Sequence, residues 1–312
     1  MAQTRPIRIG TRGSRLALWQ AEAVRDCLAA AHGPAAELIE IVPIRTSGDR
    51  IRDRPLAEAG GKGLFTKEIE DRLAGGEVDL AVHSAKDMET LLRPGLVIAA
   101  CLERGEVRDA LISRHAGGLE GLPEAAMVGT ASIRREALLR RVRPDLRMAL
   151  LRGNVPTRLA RVEAGDFDAT LLAAAGLKRL GLENHIAALL PLDAFPPACG
   201  QGAIAIECRE ADHAMRERLA AIDHGETSQS LTCERAFLTA LDGSCRTPIA
   251  GHAQVDDGNL RFAGMLLSED GQEFYAASTA GDVADAAAIG KEAGDEIRRR
   301  APKEFLARLG IG

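Results

Sequence analysis

The chain has 312 residues, of which 46% are hydrophobic and 27% charged, as in ordinary globular proteins, and its formal net charge at pH 7 is −5. This length accommodates two or three domains, and the negative charge argues against a general nucleic-acid binder. No apolar run is long enough to span a membrane and the N-terminus lacks the apolar core of a secretion signal, so we expect a cytoplasmic protein without membrane contact.

Strands alternate with helices through the first two thirds of the chain, which predicts α/β sheets with mainly parallel strands. In the first helix, Leu16, Trp19, Ala23 and Leu28 are the expected apolar face. The predicted strands are 7–10, 38–44, 78–82, 96–102, 110–113, 127–130, 147–151, 169–173 and 203–208. The predicted helices are 14–31, 64–74, 132–142, 155–164, 177–180 and 185–189.

The order of elements changes after about residue 218. A helix at 227–241 precedes three strand-like runs, and a helix over 282–309 closes the chain, which predicts a small α+β domain. The three runs are 248–255, 259–267 and 273–278. The Pro-rich segment 191–202 is typical of a linker that returns the chain to an earlier domain.

Cationic side chains follow the predicted strands at five turns. In open α/β sheets, ligands bind outside the carboxyl ends of the strands, where helix N-termini offer free N–H groups to anions. One such turn alone is equally consistent with a solvated surface charge, but five together predict a cleft for several negative charges. Their polar residues are Arg12 and Ser14; Lys86 and Asp87; Ser132, Arg134 and Arg135; Arg152 and Arg158; and Lys178 and Arg179.

Asp87 is the acidic residue at these cationic turns. Its carboxylate, beside Lys86, can accept N–H groups or stabilise a developing cation, or the two form a surface ion pair. Lys86 is also a candidate Schiff-base lysine. Lys62 lies among glycines without the spacing of a nucleotide-binding phosphate loop, which favours a flexible loop tip over a ligand.

Cys245 lies on a predicted turn between a helix and a strand. The residues alone leave three readings open: a buried filler, a metal ligand or a nucleophile, with Arg246 favouring the thiolate in the last case. The six cysteines are scattered without zinc-site spacing, so we expect no metal site. There is also no evident His–Asp pair for a thiol protease.

Eight segments of the chain carry a resemblance to a known family. They are IRIGTRGSRLALWQA, GGKGLFTKEIE, DLAVHSAKD, VGTASIRRE, LLRGNVPTRL, AAAGLKRLGL, GQGAIAIECR and LDGSCRTPIAGHA. Through them the chain resembles the porphobilinogen deaminase family from Ile7 to about Ala253, and more weakly to the end. The cysteine-centred segment is especially diagnostic, and the order of all eight matches the family.

The resemblance implies three domains: two lobes like those of periplasmic binding proteins and a small α+β domain. The expected boundaries are 1–102 with 198–218, then 103–197, then 219–312. It also implies a monomer that joins four porphobilinogen molecules head to tail, with loss of ammonia, on a covalent dipyrromethane cofactor. Water then releases hydroxymethylbilane.

The resemblance also implies a role for each matching residue. Cys245 matches the cysteine that carries the cofactor through a thioether, and Asp87 matches the catalytic aspartate. Residues matching those that bind the cofactor are Lys86, Ser132, Arg134, Arg135 and Ser14. Residues matching those that bind substrate or support elongation are Arg12, Gln20, Arg152, Arg158, Arg179 and, in the family's mobile loop, Lys62. Local departures from the common pattern are Arg15, Ala85, Met88, Pro156 and Arg246.

Three other classes of protein fit part of this pattern. A binding protein can use a two-lobed anion cleft without chemistry, but it does not need Cys245 on a third domain. An enzyme with a Schiff base or pyridoxal phosphate on Lys86 predicts cofactor absorbance that borohydride fixes to lysine. An arginine-rich nucleic-acid protein predicts salt-sensitive binding to DNA or RNA.

Overall fold

The computed structural model describes residues 6–33, 38–50, 63–243 and 247–312. These residues divide into two compact units, the first formed by 6–33, 38–50, 63–105 and 203–228, the second by 106–202, 229–243 and 247–312. Among the described residues, no helix combines the length and apolarity needed to cross a bilayer.

The first unit is built on a five-stranded sheet in the order β2-β1-β3-β10-β4. β1, β2 and β3 are parallel, and β10 runs antiparallel to both of its neighbours. The strands are β1 (Ile7–Arg12), β2 (Ile39–Ile44), β3 (Leu80–Ser84), β4 (Leu96–Cys101) and β10 (Ile204–Arg209). The helices are α1 (Arg15–His32), α2 (Ser47–Arg50), α3 (Lys67–Ala74) and α7 (His213–Ala220).

The second unit contains a sheet of the same plan, in the order β7-β6-β8-β5-β9, with β5 antiparallel to its neighbours. A three-stranded antiparallel sheet, β11-β12-β13, follows. The strands are β5 (Asp109–Ser113), β6 (Met127–Thr130), β7 (Arg147–Leu150), β8 (Ala169–Ala173), β9 (Ala188–Leu189), β11 (Ile249–Asp256), β12 (Asn259–Leu267) and β13 (Phe274–Asp282). The helices are α4 (Ile133–Val142), α5 (Val155–Glu163), α6 (Ala174–Arg179), α9 (Ala286–Arg300) and α10 (Lys303–Arg308), while α8 (Gly225–Ala240) contains the boundary between the units.

The predicted fold class, α/β with mainly parallel sheets and a small C-terminal α+β part, is confirmed. In each five-stranded sheet, four strands run in one direction and the fifth, β10 or β5, runs against them. The three-domain boundaries stay a prediction.

The apolar face predicted for α1 is confirmed at Leu28 but lies one residue away from Leu16, Trp19 and Ala23. The buried side chains of this helix include Ala17, Ala21, Val24 and Leu28, at spacings of four and three, whereas Trp19 is 38% exposed. Ala21 therefore packs on the sheet together with Val24 and Leu28. The prediction placed large side chains such as Trp19 on this face, whereas the structure places smaller ones there.

Two other predicted helices differ from the structure. The segment predicted as a helix at 185–189 is a 3₁₀ turn at Glu183–His185 followed by β9, which pairs with the edge of β5. The closing helix is interrupted at Pro302, so that α9 ends and α10 begins there. Proline fixes its own φ angle and disfavours helical backbone at the preceding residue.

Two helices in the second unit begin with side-chain caps, as the sequence indicates. Ser132 accepts a hydrogen bond from the backbone N–H of Arg135, and Asn154 accepts one from that of Thr157 at 3.0 Å. Such caps satisfy N–H groups that lack a partner within the helix. They fix where α4 and α5 begin, beside the carboxyl ends of β6 and β7.

The C-terminal sheet packs against α4 within the second unit. Met265 and Leu267 belong to the same hydrophobic cluster as Leu138. Gly271, in the turn between β12 and β13, lies so close to α4 that a Cβ atom there would stand 2.0 Å from the carbonyl oxygen of Ala137. The positive φ of this glycine, 71°, also suits the turn.

Glycines bring α8 and α9 into close contact on the C-terminal sheet. A Cβ atom at Gly290 would stand 1.9 Å from the carbonyl oxygen of Cys233 on α8. One at Gly294 would stand 2.5 Å from the Cβ atom of Ala240. Both helices contribute side chains to the same apolar core, including Phe237 of α8, so their close contact fixes how they cover it.

We therefore expect Gly290→Ala to destabilise the protein, although alanine usually favours a helix over glycine. The added methyl group forces α8 and α9 apart, and overpacking of this kind costs about 1–3 kcal/mol. Urea unfolding of both variants measures the effect. Gly225→Ala is the matched control, because nothing lies within 4 Å of the corresponding Cβ position. Equal stability of the two variants would contradict the close helix contact.

Candidate active site

A pocket in the first unit lies at the carboxyl ends of β1 and β3. Its volume is about 400 Å³, including space open to solvent. The predicted site residues Arg12, Ser14, Gln20 and Asp87 all line it, although they come from separate segments of the sequence. The other lining residues are Leu16, Ala17, Phe65, Thr66, Val82, His83 and Ser84.

Arg12 is held on one side of this pocket. Its guanidinium lies 4.2 Å from the ring centroid of Phe65 and donates from Nη2 to Asp49. Although burial alone would raise the pKa of Asp49, the hydrogen bond and charge of Arg12 hold it below its usual value. The Nε atom of Arg12 is buried without a hydrogen-bond partner in the described part of the chain. It is therefore available to an acceptor on a ligand.

Gln20 reaches the pocket from the buried face of α1. Its Nε2 atom donates to the Ser84 hydroxyl at 2.9 Å, and that hydroxyl lies 3.2 Å from the amide oxygen of Gln20. Ser84 is the last residue of β3. This contact therefore joins α1 to the strand whose following turn carries Asp87.

Asp87 ends a 3₁₀ turn, Ala85–Asp87, that directly follows β3. Its side chain is partly exposed and lines the pocket, so a ligand can reach the carboxylate. Lys86 occupies the same turn and is partly buried, but it is not among the described side chains that line the pocket. Of the two predicted residues on this turn, only Asp87 therefore lines the pocket among the described side chains.

Arg134 and Arg135 share the buried carboxylate of Asp109 in the second unit. Arg134 donates from Nη2 to Oδ2 at 2.7 Å, and Arg135 donates from Nη2 to Oδ1 at 2.8 Å. Burial alone would raise the pKa of Asp109, but the two adjacent guanidinium charges outweigh it and lower the pKa. Burial lowers the pKa of Arg134, partly offset by the charge of Asp109.

This cluster carries more positive than negative charge, because two guanidinium groups face one carboxylate. Gln201 adds a neutral hydrogen bond, from Nε2 to Asp109 Oδ1 at 3.0 Å. The Nε atom of Arg134 is buried and has no hydrogen-bond partner among the residues that the structure describes. The surplus charge and the unused donor together suit an anionic group.

Three further predicted arginines lie near strand and helix ends of the second unit. Arg152 follows β7 and is partly buried. Arg158 donates from Nε to the carbonyl oxygen of Gly153 at 2.8 Å. Arg179 donates from Nη2 to that of Gly202 at 2.6 Å, and burial lowers the pKa of Arg179 to about 10. Arg179 therefore remains cationic at neutral pH.

The predicted site residues thus fall into two sets. Cys245 and Lys62 lie outside the described residues. In the described ranges, no group of three or more His, Cys, Asp or Glu side chains is arranged to hold a metal ion. The first unit carries Arg12, Ser14, Gln20, Lys86 and Asp87, and the second carries Ser132, Arg134, Arg135, Arg152, Arg158 and Arg179.

Sequence reasoning missed several polar residues of these sets. Asp109 had one available signal, since it is an acidic residue that opens an otherwise apolar strand. His83 and Ser84 lie in the segment DLAVHSAKD, from which only the lysine and aspartate were interpreted. Asp49 gave no signal, because its pairing with Arg12 joins positions 37 residues apart.

Comparison with known proteins identifies the family. The model described as "Porphobilinogen deaminase, dipyromethane cofactor binding domain" matches residues 7–217, and that of the "Porphobilinogen deaminase, C-terminal domain" matches 228–299. The chain belongs to the porphobilinogen deaminase family. A porphobilinogen deaminase of Nitrobacter winogradskyi is 54% identical over 298 residues, covering 96% of this chain and 94% of the relative.

Solved structures that align to this family member include periplasmic proteins and domains. The VFT2 domain of Bordetella pertussis BvgS aligns with a TM-score of 0.42 and 18% identity, covering 71% of this chain and 88% of that domain. A TRAP periplasmic solute-binding protein of Bordetella bronchiseptica aligns with a TM-score of 0.40 and 14% identity, covering 98% of each chain. Scores this low carry no functional argument.

We expect Asp109→Asn to lower the free energy of unfolding of the deaminase by about 3–5 kcal/mol, because two buried guanidinium groups lose their counter-charge. Since the folded pKa of Asp109 lies below its unfolded value, the carboxylate stabilises fully above about pH 4 and loses this effect as pH falls further. The difference between wild type and variant should therefore shrink on acidification, measured by urea unfolding. Asp193→Asn, at an exposed position, is the control. A pH-independent difference would contradict this account.

Proposed function

We propose that this chain is a porphobilinogen deaminase, which joins four porphobilinogen molecules head to tail with loss of ammonia and releases hydroxymethylbilane by hydrolysis. The match to a porphobilinogen deaminase over 96% of the chain is the observation that carries this proposal. In this proposal, the protein is a cytoplasmic monomer of three domains. Analytical ultracentrifugation of the purified protein measures its mass in solution and so tests whether it is a monomer.

The described residues fit a dipyrromethane cofactor. This group bears acetate and propionate chains, so it requires cations and unused N–H donors. The Asp109–Arg134–Arg135 cluster has surplus positive charge, and Nε of Arg134 has no partner in the described ranges. We assign cofactor carboxylates to Arg134, Arg135, Lys86, Ser132 and Ser14. When bound, the cofactor supplies the free pyrrole carbon at which elongation begins.

The remaining cations are proposed to bind substrate carboxylates. Forked guanidinium groups bind carboxylates with two parallel hydrogen bonds, and burial strengthens such pairs. Arg12 suits this role because Phe65 and Asp49 fix its orientation while Nε stays unused within the described residues. We assign the same role to Gln20, Arg152, Arg158, Arg179 and, in the loop outside the described residues, Lys62.

Asp87 is proposed to stabilise positive charge during condensation. Loss of ammonia from porphobilinogen leaves an electron-poor azafulvene, and attack by a pyrrole carbon places positive charge on pyrrole nitrogens. A fixed carboxylate near those N–H groups lowers the energy of that state. Asp87 supports this role because it lines the pocket from a short turn anchored at β3.

Cys245 is proposed to carry the cofactor through a thioether. A thiolate adds readily to an electron-poor azafulvene, which makes sulfur a suitable anchor. The other cysteines suit this role less well. Burial raises the pKa of the Cys208 and Cys233 thiols to about 11 and about 12, which keeps both protonated and unreactive.

We expect the intact mass of the purified wild-type protein to exceed the sequence mass by two linked pyrrole units. Cys245→Ala should lack this adduct and the activity, because no other thiol replaces the anchor. Cys27→Ala is the matched control, since this cysteine is only partly buried and lies on α1. It should keep both adduct and activity. A fully active wild-type protein of bare sequence mass would refute covalent attachment.

For Asp87→Asn we expect kcat to fall about 10²–10³-fold, the usual cost of removing one electrostatic partner of a transition state. The adduct should remain, because the change leaves the shape of the side chain intact. Steady-state kinetics together with intact mass measure both effects. Asp26→Asn, an exposed carboxylate on α1, should behave as wild type. Unchanged turnover of Asp87→Asn would remove this residue from the mechanism.

A further inference from the structure

A histidine and a glutamate lie side by side beneath the pocket of the first unit. Glu207 on β10 pairs with Ala81 on β3, and His83 follows two residues along β3. Because side chains alternate along a strand, His83, Ala81 and Glu207 face the same side of the sheet. The Nε2 atom of His83 lies 3.3 Å from Oε2 of Glu207.

This pair is almost completely shielded from solvent. The side chains of His83 and Glu207 are 3% and 0% exposed. Despite the short distance, neither carboxylate oxygen of Glu207 nor Nε2 of His83 forms a well-aligned hydrogen bond within the described residues. Burying polar groups without hydrogen bonds costs free energy, so a buried pair of this kind calls for a functional explanation. Only His83 of the pair lines the pocket, which it shares with Asp87.

A second carboxyl group covers the pair from α3. Ile69 and Leu73 of this helix pack in one cluster with Ala81, so α3 lies over the same face of the sheet, and it carries Glu70. Burial raises the pKa of Glu70, and the charge of Glu207 raises it further, while that of His83 opposes the shift. Two carboxyl groups and one imidazole therefore lie close together in a buried region beside the pocket.

The reaction proposed above needs a proton acceptor. Each condensation forms a carbon–carbon bond at the α-carbon of the acceptor pyrrole, and that carbon must then lose its proton to become aromatic again. Ammonia leaves with the electron pair of the broken carbon–nitrogen bond. Asp87 is assigned to charge stabilisation. No residue has yet been assigned as the base that takes the proton from this carbon.

We propose that His83, which lies beside Glu207, takes this proton from the acceptor carbon and passes it to the ammonia already released from the attacking azafulvene's precursor. The proton moves to an imidazole nitrogen as the carbon–hydrogen electron pair returns to the pyrrole ring. It then moves to ammonia, which departs as ammonium and leaves the imidazole as it began. Neither oxidant nor reductant is required. This inference rests on the proposed function.

His83→Gln removes the proton acceptor but keeps a polar side chain of similar size. The expected loss in kcat is about 10²-fold, typical of a general base, with KM changed less than twofold. Porphobilinogen deuterated at its free α-carbon gives a sharper measurement. The rate ratio between normal and deuterated substrate should rise in the variant, because proton removal becomes slower than the other steps.

His83→Ala should be rescued by added imidazole but not by pyrazole, a far weaker base of similar shape. Equal rescue by both compounds would show that the side chain only fills space. The intact-mass adduct and the urea unfolding curve of each variant are recorded alongside, so that loss of cofactor or fold is recognised. Absence of the adduct from the wild type would instead count against the proposed function.

His115→Gln is the matched control for His83. His115 also faces a carboxylate, with Nε2 3.2 Å from Asp168, but it lies in the second unit and its side chain is one-third exposed. Its variant should keep wild-type turnover and isotope effect. Glu207→Gln should reproduce the kinetic defect of His83→Gln, and the double variant should be no worse than either alone. Additive defects, or an unchanged isotope effect in His83→Gln, would overturn the proposal.

Discussion

The carboxylate of Asp109 joins three parts of the second unit. It receives Arg134 and Arg135 from the first turn of α4, and Gln201 from the segment that leads to β10. Arg134 also donates from Nη1 to the carbonyl oxygen of Pro196 at 2.8 Å. The start of α4, the start of β5 and the returning linker therefore depend on one fully buried negative charge. The same charge allows two arginines to be buried together beside a proposed anionic cofactor.

The two five-stranded sheets handle buried charge differently, although they share a strand order. In each sheet, the strand that runs against its neighbours carries a fully buried acid, Glu207 on β10 and Asp109 on β5. The negative charge of Asp109 is outweighed by the positive charges of two arginines, which suits recognition of anions. Glu207 faces a single histidine, which suits exchange of a proton. The antiparallel strands β10 and β5 occupy equivalent positions in their sheets, but their buried acids lie in different electrostatic environments.

The sequence allowed much of this arrangement to be predicted, because the rules that place ligands at strand ends are local. Arg12, Ser14 and Asp87 each follow a recognisable strand, and the structure brings them to one pocket. The pairing of Asp49 with Arg12 could not be predicted, since it depends on how distant segments fold together. The same holds for the inner face of α1, where close packing favours Ala17 and Ala21 over larger side chains.

The turn at Gly271 connects the C-terminal sheet to α4 through a direct backbone contact. It abuts the backbone of α4 at Ala137, two residues beyond Arg135, and Met265 and Leu267 of the sheet belong to the same apolar cluster as Ala137. Any tilt of the C-terminal sheet must therefore displace α4 as well. Cys245 precedes β11 of that sheet by four positions in the sequence. Under the proposed attachment at Cys245, the sheet that follows the cofactor anchor would thus be braced against the helix that carries Arg134 and Arg135.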